Sequence, residues 1–128
     1  MSLDKSAVTG NLPQQNVYSA VIKNQTSDKI HCIVEYRTVS GTNNELVEFD
    51  VNGNGEEHKC EEKIHTTTTN NSNPSFSNVF PKVIYSLQVQ KSNGEKVRLC
   101  APFDNVPRED VRNWNFILDN DQIHSVKN

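Results

Sequence analysis

The chain has 128 residues and a formal net charge of −3, with 13 basic and 16 acidic residues spread along it without blocks. This charge pattern argues against nucleic-acid binding, and the lack of a long apolar run argues against a transmembrane segment. The apolar residues include 14 Val and 7 Ile but only 6 Leu and 3 Ala, a balance that favours β-strands over helices.

The segmentation of the chain predicts an arm followed by one domain. Residues 1–16 include Gly10 and Pro13 and show no hydrophobic periodicity, so we expect a flexible N-terminal arm. Residues 17–128 alternate apolar and polar positions between turn signals, which predicts an all-β, single-domain antiparallel β-sandwich of about eight strands. Pro107 and the acidic residues after it suit a helix start, so we allow at most one short helical turn near residues 105–112.

Two segments with period-two alternation, 17–24 and 30–39, flank a polar turn at residues 25–28. An odd-length loop would join them as a hairpin that pairs Ile22 with Ile30 and brings Ala20 next to Cys32. The same turn could instead bridge two opposed sheets, and the sequence leaves both arrangements open.

Residues 50–61 match the calcium-loop pattern D-x-[DN]-x-[DN]-G-x₅-E at every specified position. Carboxylate and amide oxygens, with a glycine at the sharp bend, are what a hard cation such as Ca²⁺ requires. The surrounding sequence does not continue as an EF-hand, because residues 64–69 are poor helix formers. The predicted metal ligands are Asp50, Asn52, Asn54, Glu57 and Glu61.

A β-turn between two strands is the preferred interpretation of this loop. In the corresponding hairpin Asp50 lies opposite Glu57, while Glu61 lies about 13 Å further along the strand. We therefore predict either no calcium site or a weak one, with a dissociation constant of about 10⁻⁴ to 10⁻³ M, and no other cofactor. The hairpin register pairs Val51 with Glu56, Phe49 with His58 and Val47 with Cys60.

The alternating side chains of His58, Cys60 and Glu62 share one strand face and offer three zinc ligands. Packing of the same face against apolar neighbours is the competing interpretation, since the chain contains no C-x-x-C pair. A fourth zinc ligand would come from His31, Cys32 or His65.

Residues 66–78 form the most polar segment, with four threonines followed by asparagine and serine. We predict that the threonines end a strand and that the remainder is a long loop. Near the C-terminus, Trp114, Phe116 and Leu118 alternate as core residues of a strand, and residues 122–126 form a weak closing strand.

The clearest element is a hairpin over residues 82–101, in which apolar residues alternate on both sides of a turn. Only a three-residue turn over 92–94 places the two apolar sets on one face. It gives Gly94 a left-handed conformation and sets Lys91 opposite Glu95. The register pairs Val89 with Val97, Leu87 with Leu99 and Tyr85 with Ala101, with Val83 on the same face.

Three cysteines, Cys32, Cys60 and Cys100, cannot all pair within one chain. With no signal peptide recognisable at the N-terminus, the odd number predicts reduced thiols and a cytoplasmic location. Cys32 follows His31, but neighbouring strand residues point to opposite faces, so these two do not form a nucleophile–base pair.

The sequence lacks recognised catalytic motifs and offers long polar loops on a rigid scaffold. It therefore predicts a non-catalytic binding module whose contacts lie on loops, especially 50–61 and 70–78. Its partner is a protein or a small-molecule ligand, and nucleic acid is not expected. The alternative is a small enzyme with an active site assembled from residues distant in sequence, which a deep pocket gathering titratable groups would favour.

Overall fold

The computed structural model describes residues 15–67, 78–119 and 122–126. This part of the chain contains strands and turns and no helix, which confirms the all-β prediction. Its eleven strands exceed the predicted number partly because two of them span only two residues. The strands are β1 (Asn16–Val17), β2 (Ala20–Asn24), β3 (Ile30–Thr38), β4 (Glu45–Val51), β5 (Glu56–Cys60), β6 (Ile64–Thr67), β7 (Asn78–Gln90), β8 (Lys96–Cys100), β9 (Asp110–Val111), β10 (Trp114–Leu118) and β11 (Ile123–Val126).

Two sheets form a sandwich-like architecture. Sheet I has the strand order β11–β10–β2–β5, and sheet II has the order β4–β3–β7–β6, with β8 also paired to β7. Sheet II is antiparallel throughout. Sheet I departs from the antiparallel prediction, because β2 and β10 run parallel. Strands β1 and β9 form a separate parallel pair.

The core lies between the two sheets. Burial alternates along β2, β3 and β10, and Ile22, Val34 and Phe116 are each at most 2% exposed. Phe103 packs edge to face on Phe116, with 5.0 Å between the ring centroids. Trp114 is buried and donates its indole N–H to the Ser125 hydroxyl at 2.8 Å. The predicted core positions of Trp114 and Phe116 are therefore confirmed.

The turn at residues 25–28 carries the chain from one sheet to the other. Strand β2 pairs with β5 and β10 in sheet I, whereas β3 pairs with β4 and β7 in sheet II. Of the two arrangements that the sequence leaves open, the bridge between opposed sheets is therefore the one that forms.

The predicted hairpin on either side of residues 52–55 is wrong. Strand β4 pairs with β3 along seven residues, and β5 pairs with β2 along five. Each strand thus finds its partner in its own sheet, and the turn joins two sheets. The expected contact of Phe49 with His58 does form, as a stack of the two rings with centroids 3.7 Å apart.

The β7–β8 hairpin confirms the predicted turn. Gly94 has a φ of 91°, and its N–H donates to the Lys91 carbonyl at 2.9 Å. The N–H of Lys91 donates in turn to the Glu95 carbonyl at 2.8 Å. The register pairs Val89 with Val97 and Leu87 with Leu99, as the alternation predicts.

The face predicted for the first half of β7 is wrong. Tyr85 has no partner on β3, because the register between the two strands shifts there. Such a bulge reverses the alternation of faces. Ile84 is therefore 3% exposed in the core, while Val83 is half-buried. The ring of Tyr85 lies under the guanidinium of Arg37, with 3.5 Å between the ring centroid and Cζ of Arg37.

The segment before β9 forms no helical turn. Asn105 has a φ of 68°, outside the right-handed helical range. The side chain of Gln15 accepts the N–H of Phe103 at 2.8 Å and donates to the carbonyl of Val106 at 2.9 Å. Gln15 and Asn16 thus belong to the folded domain, although the predicted arm included them.

Two predicted segments fall largely outside the described residues. They are residues 1–14 of the arm and residues 68–77 of the polar loop. The start of the threonine run is described, and Thr66 and Thr67 end strand β6 as predicted.

Candidate functional site

A buried asparagine organises the turn that leaves sheet I. Asn24 is fully buried, and its Nδ2 donates to the carbonyls of Asp28 at 2.8 Å and Val51 at 3.0 Å. Its Oδ1 accepts the N–H of Thr26 at 3.0 Å and the Thr26 hydroxyl at 2.6 Å. These bonds fix the path of the turn, since leaving one buried polar group unpaired costs about 1–3 kcal/mol.

The turn at residues 52–55 packs against this first turn through its backbone. The N–H of Asn54 donates to the Thr26 carbonyl, and the N–H of Gly55 donates to the Asn24 carbonyl, both at 2.7 Å. A Cβ on Gly53 would lie 2.6 Å from the Thr26 carbonyl oxygen, so the close approach requires glycine. Gly53, Asn54 and Gly55 of the calcium-loop pattern therefore stabilise the turn that connects the two sheets.

The structure separates the predicted calcium ligands. Asp50 lies on sheet II, whereas Glu57 lies on β5 of sheet I and Glu61 follows the end of that strand. The like-charge pair of Asp50 and Glu57 that the hairpin implied does not form. Asn52 and Asn54 stay together on the turn that joins the sheets. Calcium binding at this turn stays a prediction.

The side chains on the face predicted to offer zinc ligands are engaged in packing contacts and an ion pair. The ring of His58 stacks on Phe49, and Cys60 is 4% exposed in the core. Glu62 accepts a hydrogen bond from Nε of Arg112 at 3.1 Å. Across the residues that the structure describes, no three His, Cys, Asp or Glu side chains surround a common metal position.

Two adjoining grooves open where the turn at 25–29 meets the β7–β8 turn. The first has a volume of about 230 Å³ and lies between Asp28 and Asn93. The second, which we call the loop-end groove, has a volume of about 300 Å³. The loop-end groove is lined by Lys29, Ile30, His31, Asp50, Gln90, Lys91 and Ser92.

The pairing of β3 with β7 builds the loop-end groove. His31 lies directly opposite Gln90, so the start of β3 meets the end of β7. Lys29 comes just before β3, and Lys91 and Ser92 come just after β7. Sequence reasoning missed this group because its members lie far apart in the chain, and only long-range strand pairing brings them together. Apart from Asp50, the first position of the calcium-loop match, no local motif marks them.

His31 bridges two carboxylates of strand β4. Its Nδ1 lies 2.8 Å from Oδ1 of Asp50, and its Nε2 lies 2.9 Å from Oε1 of Glu48. The hydrogen bond with Asp50, followed by that with Glu48, raises the pKa of His31 above its ordinary value. The bond with His31 also lowers the pKa of Asp50. His31 therefore keeps its positive charge to a higher pH than a free histidine does.

The lysines add further positive charge to the loop-end groove. Nζ of Lys29 lies 3.9 Å from Oδ2 of Asp50, and 63% of the Lys29 side chain is exposed. Nζ of Lys91 lies 2.9 Å from Oε1 of Glu95. With His31 protonated, the lining carries three cationic side chains and one carboxylate, and Glu48 and Glu95 contact two of the cations from outside the lining. A cleft lined mainly by one sign of charge attracts ions of the opposite sign.

The cysteines of the core are unsuited to nucleophilic chemistry. Cys32 and Cys60 are 0% and 4% exposed, and burial raises the pKa of each thiol to about 12. His31 points to the opposite face from Cys32, as strand alternation predicts. These thiols therefore give the enzyme alternative no support.

Comparisons of the chain with protein-family models, with curated proteins and with solved structures find no match. The described part of the chain contains no helix long and apolar enough to cross a membrane.

Proposed function

We propose that this protein is a non-catalytic binding module that accepts an anionic oxygen group, a carboxylate or a phosphate, in the loop-end groove. The observation that carries the proposal is the convergence of Lys29, His31 and Lys91 on one groove. Asp50 lines the groove with them, while Glu48 and Glu95 pair with His31 and Lys91 from outside its lining. Lysine and imidazolium donate charge-assisted hydrogen bonds to such oxygens.

The size and rigidity of the groove support this assignment. At about 300 Å³ it lies at the lower end of small-molecule sites, which suits a single anionic group or side chain. Its walls are strand ends and two short turns, and the turn at 25–28 is held by the buried Asn24. Binding groups placed on a rigid scaffold lose little entropy when a ligand arrives.

A reducing, cytoplasmic setting is part of the same proposal. Cys32, Cys60 and Cys100 are all unpaired in the described structure. Free thiols in this number are typical of proteins that stay in a reducing compartment.

An NMR titration tests the anion site. Backbone amide shifts would be followed while citrate, inorganic phosphate or the cation spermidine is added to the protein at pH 6.5. We expect citrate and phosphate to shift the amides of Lys29, His31 and Ser92, and spermidine to leave them unchanged. Lys29→Glu should weaken anion binding by about tenfold, because it replaces an attractive charge by a repulsive one.

Lys59→Glu provides the matched control. Lys59 is exposed on β5 of the other sheet, so its reversal makes the same change in net charge away from the groove. An equal loss of affinity in both variants would mean that anions respond only to net charge. Shifts centred on other residues would also refute the loop-end groove as the binding site.

A further inference from the structure

Strand β6 is an open edge of sheet II. It pairs with β7 through Ile64 opposite Pro81 and Thr66 opposite Val79, and no strand within the described ranges pairs with its other side. The N–H of Lys82 donates to the carbonyl of Lys63 at 2.9 Å. Because antiparallel bonding alternates, the N–H and C=O groups of Ile64 and Thr66 point away from β7, toward the open side.

This edge lacks the charged side chains that the edge strands β4, β5 and β8 carry. Charged side chains on an edge strand discourage the addition of a further strand. Strand β6 has no charged residue between Ile64 and Thr67. Strand β11 is also uncharged, but its Ile123 is 8% exposed, whereas Ile64 is 59% exposed. The charged residues of the remaining edges are Glu45, Glu48 and Asp50 on β4, Glu56, Glu57 and Lys59 on β5, and Lys96 and Arg98 on β8.

Apolar side chains stand beside the open edge. Val79 is 57% exposed, and as the neighbour of Thr66 across the β6–β7 pair it lies on the same face as Ile64 and Pro81. We call Ile64, Thr66, Val79 and Pro81 the β6 edge surface. A strand added to β6 would place every second side chain over this surface, while its backbone would bond to the outward groups of Ile64 and Thr66.

We propose that the β6 edge surface binds an extended segment of a partner protein, which adds to β6 as an antiparallel strand. The segment would carry apolar residues at alternate positions, followed by a basic residue. The basic residue is inferred from Glu61, which is exposed just before β6 and would face the C-terminal end of an antiparallel partner. Glu62 is paired with Arg112, and Lys63 with Glu45. Oppositely charged residues across such an interface favour its register.

A second copy of this chain fits the edge less well than such a segment. Strand β6 has only four residues, so edge-to-edge pairing of two copies would be about 13 Å long. A stable dimer of folded domains buries about 1,200 Å² or more, which so short a pairing does not supply, whereas a transient contact with a peptide segment needs less area.

The test uses a synthetic peptide, acetyl-Thr-Val-Thr-Val-Thr-Lys-Lys-amide, and the full chain. We expect the peptide to shift the amide resonances of Ile64 and Thr66 and to slow their hydrogen exchange, since both N–H groups gain a partner. A second peptide, methylated on the backbone nitrogen of its second valine, lacks one of the donors that point toward β6. We expect this peptide to bind at least about tenfold more weakly than the first.

Two protein variants locate the interaction. Ile64→Lys puts a charge on the open edge and should weaken peptide binding at least about tenfold. Leu46→Lys is the matched control, because Leu46 is 63% exposed on the already charged edge strand β4, and binding should be unchanged. Circular dichroism confirms that both variants keep the wild-type fold.

Three outcomes would overturn the proposal. Equal binding of the N-methylated peptide would show that backbone pairing contributes nothing. Equal weakening by Leu46→Lys would show that the contact is not at β6. Wild-type dimers in sedimentation experiments that Ile64→Lys dissociates would assign the edge to a second copy. None of these outcomes bears on the loop-end groove, which lies beyond the opposite end of β7.

Discussion

His31 lies between two carboxylates of the neighbouring strand, with Asp50 on one ring nitrogen and Glu48 on the other. A neutral imidazole donates only one N–H, so it satisfies only one of these carboxylates. Protonation therefore does two things at once, since it completes the second hydrogen bond and adds a positive charge to the loop-end groove.

The stabilising effect of His31 should depend on pH. The pKa of His31 is raised above its unfolded value of about 6.5, so its protonated form stabilises the fold below that pH. This stabilisation is lost as the pH rises through the raised pKa. We expect the urea midpoint of the wild type to exceed that of His31→Gln at pH 5.5, and the difference to shrink at pH 9. A difference that stays constant with pH would contradict the prediction.

Residue identity predicts short-range features well in this chain. Gly94 and the charged pair of Lys91 and Glu95 define a three-residue turn, and the structure has that turn with a φ of 91° at Gly94. The loop-end groove was not predictable in the same way. His31 and Lys91 become neighbours only because β3 pairs with β7, and neither residue type predicts that pairing.

At the scale of elements, strand β7 shows why alternation alone misassigned a face. The pattern of Val83, Tyr85, Leu87 and Val89 predicts one continuous buried face. The bulge at Tyr85 breaks that continuity, and the face before it is carried by Ile84. The bulge arises from the match of β7 to β3, so the hydrophobic pattern of β7 by itself contains no sign of it.

A pair of substitutions distinguishes the two faces of β7. Ile84 is 3% exposed, so Ile84→Ala should lower the free energy of unfolding by about 2–5 kcal/mol. Val83 is half-buried outside the core, so Val83→Ala should cost about 1 kcal/mol or less. Urea denaturation of both variants measures the difference. A larger loss for Val83→Ala would mean that β7 follows the simple alternation and has no bulge.

The misassigned hairpin of β4 and β5 has a different cause. Asn52, Gly53, Asn54 and Gly55 are typical of a tight turn, and a tight turn does form. Turn chemistry indicates that the chain reverses direction, but it does not determine whether the next strand joins the same sheet or the opposed one. The contact of Gly53 with the Thr26 backbone decides for the opposed sheet, and it depends on residues from an earlier part of the chain.

At the scale of the whole molecule, the core determines which thiols react. Cys32 and Cys60 lie inside the sandwich and Cys100 lies on its surface. The all-β class and the buried positions of β2, β3 and β10 were predictable because composition and alternation report burial directly. The division into two sheets was not, since it depends on which strands meet.

Thiol labelling with an aromatic disulfide reagent at pH 8 measures how accessible each of the three thiols is in the native protein. Cys100 should react rapidly in the native protein, while Cys32 and Cys60 should react only at the rate of unfolding, because burial raises the pKa of each to about 12. Cys100→Ser should abolish the rapid phase, and urea should expose the other two thiols. Rapid labelling of Cys100→Ser without denaturant would show that the core is open.

The parallel pairing of β2 with β10 constrains the order in which the strand pairs form during folding. Ser19 and Asn113, next to that pairing, are joined by a hydrogen bond across 94 positions of the chain. Contacts so distant in sequence form late, because the long intervening chain must be confined first. On the ribosome, β2 is translated before β10 and keeps an unpaired edge until β10 emerges, whereas the β7–β8 hairpin can close as soon as it is made. The nascent chain thus displays an open strand edge from the synthesis of β2 to that of β10, the kind of surface on which chaperones act.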